Sequence, residues 1–209
     1  FASTLFLAGT GVWDEAMETL SQVLTSVFIA TVFGVTIGIF ASQSNAAASW
    51  LRPILDTMQT MPVFVYLIPV IMLWSSGPIA SVIATVIYAM PPAIRMTDLG
   101  IRLVSREFIE IAESYGANRW QILRGIQLPL AAPTIMVGIN QCVMMTLAMV
   151  IVGGLVGGGG LGQEVYVATL YLRMGDGLIS GLGIVFLAMV LDRTTQSNTI
   201  QKRKADVIV

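Results

Sequence analysis

The sequence contains no histidine and a single cysteine, Cys142, which lies inside a long apolar run. A disulfide within this chain is therefore impossible, and a zinc site built from the usual histidine and cysteine ligands is excluded. We interpret Cys142 as a small apolar packing residue. Charge is also scarce, since 11% of the residues are charged against roughly 25% in soluble domains.

The sequence also lacks the features of a protein that binds nucleic acid or nucleotide. Its formal net charge of -1 argues against a nucleic-acid partner. Gly157, Gly159 and Gly162 fit the pattern G-x-G-x-x-G, but no strand-turn-helix unit surrounds them and a Walker-type lysine is missing. We therefore interpret 153–162 as flexible backbone at the outer end of a membrane span, and we expect this chain to bind no nucleotide, metal or other cofactor.

Apolar side chains make up 56% of the sequence, and the charged residues are segregated from long apolar stretches. Each of three charge-free stretches can hold at least one helix of the roughly 20 residues that a bilayer core requires. These stretches lie between Glu18 and Arg52, between Asp56 and Arg95, and between Arg124 and Glu164. The sequence predicts an all-α, polytopic membrane protein, a single domain over 1–209 with spans at 20–40, 58–74, 79–94, 133–152 and 178–191.

Proline is concentrated in the second and third predicted spans and their junction. The prolines are Pro62, Pro69, Pro78, Pro91 and Pro92. They predict kinked or broken helices. In lipid, broken backbone persists only where it packs on protein or lines a cavity, which favours a transport path over a simple anchor.

Most of the basic residues lie on one side of the membrane when successive predicted spans cross it in alternate directions. Ten of the 11 lie on that side, and Arg173 alone falls on the other. The positive-inside rule predicts that the loop 105–129 and the tail 194–209 are cytoplasmic.

The chain starts at Phe1, and 1–10 resembles the end of an apolar segment, so we expect missing N-terminal residues. Gly34 and Gly38 predict close helix packing, either within the chain or at a dimer face.

The loop 105–129 carries a pattern of two short helices joined at a glycine. Ser105 is a candidate N-cap, and Glu107 suits the positive end of the first helix. Gly116 predicts the corner, and the second helix is expected to end before Pro129. An apolar stripe on the first helix needs a covering partner, which is either the protein's own bundle or another subunit. Its residues are Phe108, Ile111, Ala112 and Tyr115.

The same loop contains E-x-A-x(3)-G-x(9)-I-x-L-P, the signature of binding-protein-dependent ABC permeases. The matching residues are Glu110, Ala112, Gly116, Ile126, Leu128 and Pro129, and Ile111 stands where the family usually has its first alanine. The sequence thus resembles a type I ABC importer permease. The resemblance implies that the loop couples to an ATPase subunit, and that this chain hydrolyses nothing itself.

A second resemblance narrows the branch to permeases for glycine betaine, proline betaine and choline. It is carried by DTMQTMPVFVYLIP at 56–69 together with 89–95, 127–133, 159–163 and 191–196. It implies a substrate among small methylated amines, including carnitine and trimethylamine N-oxide. It also implies a bacterial inner-membrane complex with a second permease chain, which we take to be identical, two ATPase subunits that use ATP and Mg²⁺, and an external substrate-binding protein.

Four aromatic residues in the second and third spans are candidates for the substrate path, because aromatic faces attract quaternary ammonium groups. They are Phe64, Tyr66, Trp74 and Tyr88. Aromatic residues near a membrane interface also serve as ordinary anchors. A secondary transporter or channel is the main alternative, but it is expected to have ionisable residues in mid-span, and the five spans have none there. A permease for another solute, such as an amino acid, is the other alternative.

Overall fold

The computed structural model describes residue 9 and residues 11–205, with side chains through residue 195. The predicted segment 1–10 therefore lies almost wholly outside the described residues. Regular structure in the described part is helical throughout. The helices are α1 Trp13–Ser42, α2 Asn45–Thr60, α3 Val63–Trp74, α4 Pro78–Arg102, α5 Arg106–Ser114, α6 Arg119–Ile122, α7 Leu128–Gly154, α8 Gly160–Leu170 and α9 Met174–Ala205, with a π-helical stretch at Leu123–Gln127.

The prediction of an all-α protein with five spans is confirmed, although several bounds differ. Four helical stretches, Trp13–Ser42, Pro78–Arg102, Arg119–Gly154 and Met174–Thr195, are long and apolar enough to cross a membrane. The pair α2 and α3, bent by 97°, makes a fifth when the two helices are counted as one broken span. The predicted span 58–74 is wrong as a single helix, because Met58 belongs to α2. Helix α9 continues beyond the predicted last span, through Ala205 of the predicted tail.

The break between α2 and α3 falls at Pro62. Met61 and Pro62 are both extended, with ψ of 135° and 143°. Proline disfavours the helical conformation in the residue before it and lacks the N–H that would continue the helical hydrogen bonds. Pro69, Pro91 and Pro92 lie within continuous helices. The expected broken helix is therefore confirmed at Pro62, whereas the other prolines do not interrupt their helices.

Helix α4 lies at the centre of the bundle, packed extensively against α1 and α7. Small residues allow the close approach. A Cβ at Gly38 of α1 would lie 2.6 Å from Thr97 Cβ, and one at Gly138 of α7 would lie 2.6 Å from Met96 Cβ. Gly34 of α1 is similarly close to Ala93. The Gly34 and Gly38 pair thus serves packing within the chain.

The glycine-rich segment 153–162 is a closely packed turn rather than the flexible backbone that the sequence predicted. A Cβ at Gly154 would lie 2.3 Å from the carbonyl carbon of Gly162. The N–H of Gly160 donates to Glu18 Oε2 at 2.8 Å, and that of Leu161 donates to Thr19 Oγ1 at 2.8 Å. The glycines are needed because backbone approaches backbone here, and α1 caps the start of α8.

We expect Gly38→Ala to destabilise the protein, because the added Cβ would meet Thr97 Cβ and, at 2.7 Å, the Ile94 carbonyl oxygen. Forcing an extra carbon into a packed site costs roughly 1–3 kcal/mol. The matched control is Gly181→Ala, which meets nothing within 4 Å. Thermal unfolding of the detergent-purified protein should show a lower midpoint for Gly38→Ala only. Equal midpoints in the two variants would refute the close-packing account.

Candidate functional site

Helix α5 projects an uncovered apolar stripe. None of its residues is buried against the described part of the chain. The side chains of Phe108, Ile111 and Tyr115 are 51%, 56% and 88% exposed. The described part of the bundle therefore does not cover the stripe.

The first helix begins at the expected place, but without the expected side-chain cap. Ser105 occupies the N-cap position of α5, yet its side chain makes no capping hydrogen bond. Glu107 lies in the first turn, where its negative charge favours the positive helix end. The start of α5 therefore relies on charge rather than on a serine cap.

Gly116 forms the corner after α5, as predicted. Its φ is +79°, in the left-handed region that favours glycine. Its N–H donates to the Glu113 carbonyl at 2.9 Å, and the Ala117 N–H donates to the Ala112 carbonyl at 3.0 Å. This pair of bonds is a Schellman motif, which gives the corner one defined geometry.

The start of the second helix is fixed by a capping box that the sequence analysis missed. Asn118 Oδ1 accepts the Gln121 N–H at 2.9 Å, and Gln121 Oε1 accepts the Asn118 N–H at 2.8 Å. The spacing N-x-x-Q was the available signal. Ile122 and Leu123 are buried, while Trp120 stays 64% exposed beside the corner. The side of the loop that carries Ile122 and Leu123 is thus anchored to the bundle, and the side that carries Trp120 is exposed.

The prediction that the second helix ends before Pro129 is wrong. Helix α6 runs through the π-helical stretch into α7, and the Leu128 N–H donates to the carbonyl of Leu123, five residues back. The wider turn accommodates a proline whose ring would otherwise clash with the preceding turn. The loop is therefore continuous with a membrane-spanning helix.

The six signature residues lie on both arms of the loop and differ in exposure. Glu110 is exposed, and its carboxylate lies 3.8 Å from the exposed Arg106 guanidinium. Ala112 is half-buried, and Gly116 has open space around it. Ile126 and Leu128 are half-buried and Pro129 is exposed, and Leu128 packs against a buried cluster of bundle residues. That cluster contains Ile101, Leu123, Ala131 and Ile135.

Of the four aromatic candidates, the structure brings two together. The rings of Tyr66 and Tyr88 meet edge to face with centroids 6.0 Å apart. Tyr66 is buried, whereas Phe64 and Trp74 are 55% and 51% exposed. Phe64 and Trp74 therefore do not join the tyrosine pair.

The Tyr66 hydroxyl bridges the break in the second span by donating a hydrogen bond to the Met58 carbonyl. In an uninterrupted helix that carbonyl would accept the N–H of residue 62, but Pro62 has none. Because an unpaired carbonyl is costly away from water, Tyr66 replaces the missing donor. The broken span is thus stabilised by its own side chain.

Comparison with known proteins fits this arrangement of spans and loop. Residues 30–193 match the family described as binding-protein-dependent transport system inner membrane component. The chain belongs to this family. It also resembles a chain of the methionine ABC transporter MetNI, solved in an inward-facing conformation, with a TM-score of 0.76 and 24% identity over 93% of this chain and 95% of that chain. The latter similarity shows the fold alone.

Two curated relatives are close in sequence. The chain is 49% identical over 92% of its length to the glycine betaine transport system permease protein OpuAB of Bacillus subtilis. It is 48% identical over 88% of its length to the glycine betaine/carnitine transport permease protein GbuB of Listeria monocytogenes. The matches span 68% of OpuAB and 66% of GbuB, about two thirds of each relative.

We expect Tyr66→Phe to loosen the junction between α2 and α3, because it leaves the Met58 carbonyl without its donor. Losing the partner of this part-buried carbonyl costs about 1 kcal/mol, which accelerates local exchange roughly fivefold. The measurement is hydrogen–deuterium exchange of the 58–66 segment. The control, Tyr88→Phe, removes the hydroxyl of the neighbouring ring and leaves the Met58 bond in place. Identical exchange in both variants would contradict this role of Tyr66.

Proposed function

We propose that this chain is the membrane-spanning permease subunit of an ATP-driven importer, and that loop 105–129 docks on a separate ATPase subunit. The observation that carries the proposal is the uncovered stripe of Phe108, Ile111 and Tyr115, held on a helix with a fixed corner. Membership of a family of transport-system membrane components supports it. ATP and Mg²⁺ are then used by the partner, and this chain has no catalytic role.

A short amphipathic helix with one exposed apolar face is suited to a groove on another protein. Apolar side chains at helical spacing are the usual anchors in this mode of recognition. Helix α5 is polar elsewhere, with Glu107 and Glu113 among its residues. The partner surface should therefore be an apolar groove with a basic rim.

Glu110 is the signature residue available to that basic rim. Its contact with Arg106 is long and highly exposed, and such surface pairs contribute little. The carboxylate is therefore free to exchange Arg106 for a partner arginine or lysine. Burial of that new pair at an interface would make Glu110 important for docking.

The proposed complex contains two permease chains, two ATPase subunits and an external substrate-binding protein. The second permease chain is taken to be identical to this one. Loop 105–129 and the C-terminus face the cytoplasm, which the distribution of basic residues supports. The turn at 153–162 then lies at the external end of the bundle.

The proposed substrates are small methylated amines, with glycine betaine first and choline, carnitine and trimethylamine N-oxide as further candidates. The names of OpuAB and GbuB support this class. The fold does not select it, because a chain of a methionine transporter has a similar fold. The paired rings of Tyr66 and Tyr88 beside a broken span are aromatic faces of the kind that attract quaternary ammonium groups.

Variants at Gly116 test the coupling role. We expect Gly116→Asn to retain coupling, because asparagine tolerates positive φ, and Gly116→Val to uncouple ATP hydrolysis from uptake, because a β-branched residue does not. Open space around Gly116 means that steric overlap is not the cause. The measurement is uptake per ATP hydrolysed in proteoliposomes containing the permease, ATPase and binding protein. Normal coupling in Gly116→Val would show that the corner does not transmit hydrolysis.

Competition assays test the substrate class. We expect uptake of radiolabelled glycine betaine by the wild-type complex to require ATP and to be inhibited by other methylated amines, because they share the ammonium group. Choline, carnitine and trimethylamine N-oxide are the competitors, and methionine is the control. Inhibition by methionine alone would contradict the proposed class.

A further inference from the structure

One arginine at the end of α4 joins three elements of the fold. Arg102 Nε donates to Asp98 Oδ1 at 2.6 Å, and Nη1 donates to Asn45 Oδ1 at 2.7 Å. Nη2 donates to the Ala41 carbonyl at 2.9 Å and to the Ser44 carbonyl at 3.4 Å. The guanidinium therefore ties α4 to the end of α1 and to the start of α2.

The position of α2 depends strongly on such polar contacts. Its buried residues are Ala48 and Leu55. A cavity of about 310 Å³ lies between α2 and α4. Little apolar packing therefore fixes α2 against the bundle, and hydrogen bonds at its ends have a correspondingly large influence.

A second ion pair holds the other end of α2, but it is more exposed. Arg95 Nη2 lies 2.6 Å from Asp56 Oδ1, with side chains 40% and 65% exposed. The Arg102 and Asp98 side chains are only 27% and 16% exposed. Solvent screening weakens the first pair more than the second. Because Asp98 belongs to α4 itself, this less exposed pair holds the Arg102 guanidinium in place, and the tie to α2 is its hydrogen bond to Asn45.

Arg102 connects the two candidate functional regions, which are the loop 105–129 and the broken span formed by α2 and α3. Arg102 ends α4 immediately before the loop that carries α5. Helix α2 leads across the 97° bend into α3, which contains Tyr66. A displacement of the first residues of the loop 105–129 would thus reach the broken span, α2 and α3, through Arg102.

We propose that Arg102 is a positioning residue for coupling, because it makes the turn between α1 and α2 move together with the start of the loop 105–129. This inference rests on the proposed function. Arginine is required because its planar fork donates in several fixed directions at once, whereas a lysine ammonium cannot span the same acceptors. The C-terminal end of α1 also favours a positive charge at the Ala41 carbonyl.

Charge-preserving and charge-removing variants test the proposal in the full complex with its ATPase and binding protein. Arg102→Lys and Arg102→Gln should still bind the ATPase in pull-down and hydrolyse ATP, while uptake per ATP falls several-fold. Asn45→Ala removes one acceptor without changing α4, and it should lower the same ratio less strongly. The control is Arg173→Gln, whose partner Asp176 lies 3.3 Å away on the neighbouring turn. Its ratio should match the wild type.

The outcomes separate this inference from the proposed function. If the wild-type complex binds no ATPase and shows no ATP-driven uptake, the proposed function fails. If the wild type couples and both Arg102→Lys and Asn45→Ala keep its uptake per ATP, the inference alone is wrong. A thermal midpoint is measured for each variant, and Asn45→Ala decides the question if the Arg102 variants do not fold. Reduced uptake per ATP at an unchanged midpoint supports the positioning role.

Discussion

The close approach of α1 and α7 to α4 is the constraint on which the rest of the bundle depends. At Gly38 and Gly138, backbone and small side chains of facing helices meet without room for a Cβ. Without water in the bilayer core, helix association relies on such van der Waals contact. Because α4 is fixed between two neighbours, Arg102 at its end holds a defined position. The loop that follows α4 therefore starts from a rigid support.

The second span is the region that this rigid core leaves least constrained. Its two halves meet at Pro62, where the backbone ladder stops and the Tyr66 hydroxyl satisfies the open Met58 carbonyl. The end of α2 away from this break is tied to α4 by Arg102. The second span is thus bent at Pro62 and held to α4 by hydrogen bonds, whereas α4 is a continuous helix packed densely between α1 and α7. Helices α2 and α3 are thus packed less extensively against the described bundle than α4 is.

Composition and local signals in the sequence predicted the all-α fold with about five spans, a broken helix in the proline-rich region and the corner at Gly116. These features depend on apolar length, on the missing proline N–H and on glycine's freedom at positive φ. Tertiary contacts explain the errors. The turn at 153–162 is ordered by Glu18 and Thr19, which are distant in sequence. The π-helical stretch before Pro129 begins at Leu123 and leads into Leu128, both packed on the bundle. The Arg102 contacts with Ala41 and Asn45 likewise required the structure.

In the proposed complex, the uncovered stripe of α5 is the surface at which a separate ATPase drives this permease. Phe108 is half-exposed within that stripe, and Phe28 of α1 is 70% exposed but lies on the membrane-spanning surface. A photoreactive phenylalanine analogue placed at either position in the assembled complex tests the claim most directly. The account predicts a crosslink to the ATPase from position 108 and none from position 28. Absence of the ATPase crosslink at 108, in a complex that still transports, would contradict it.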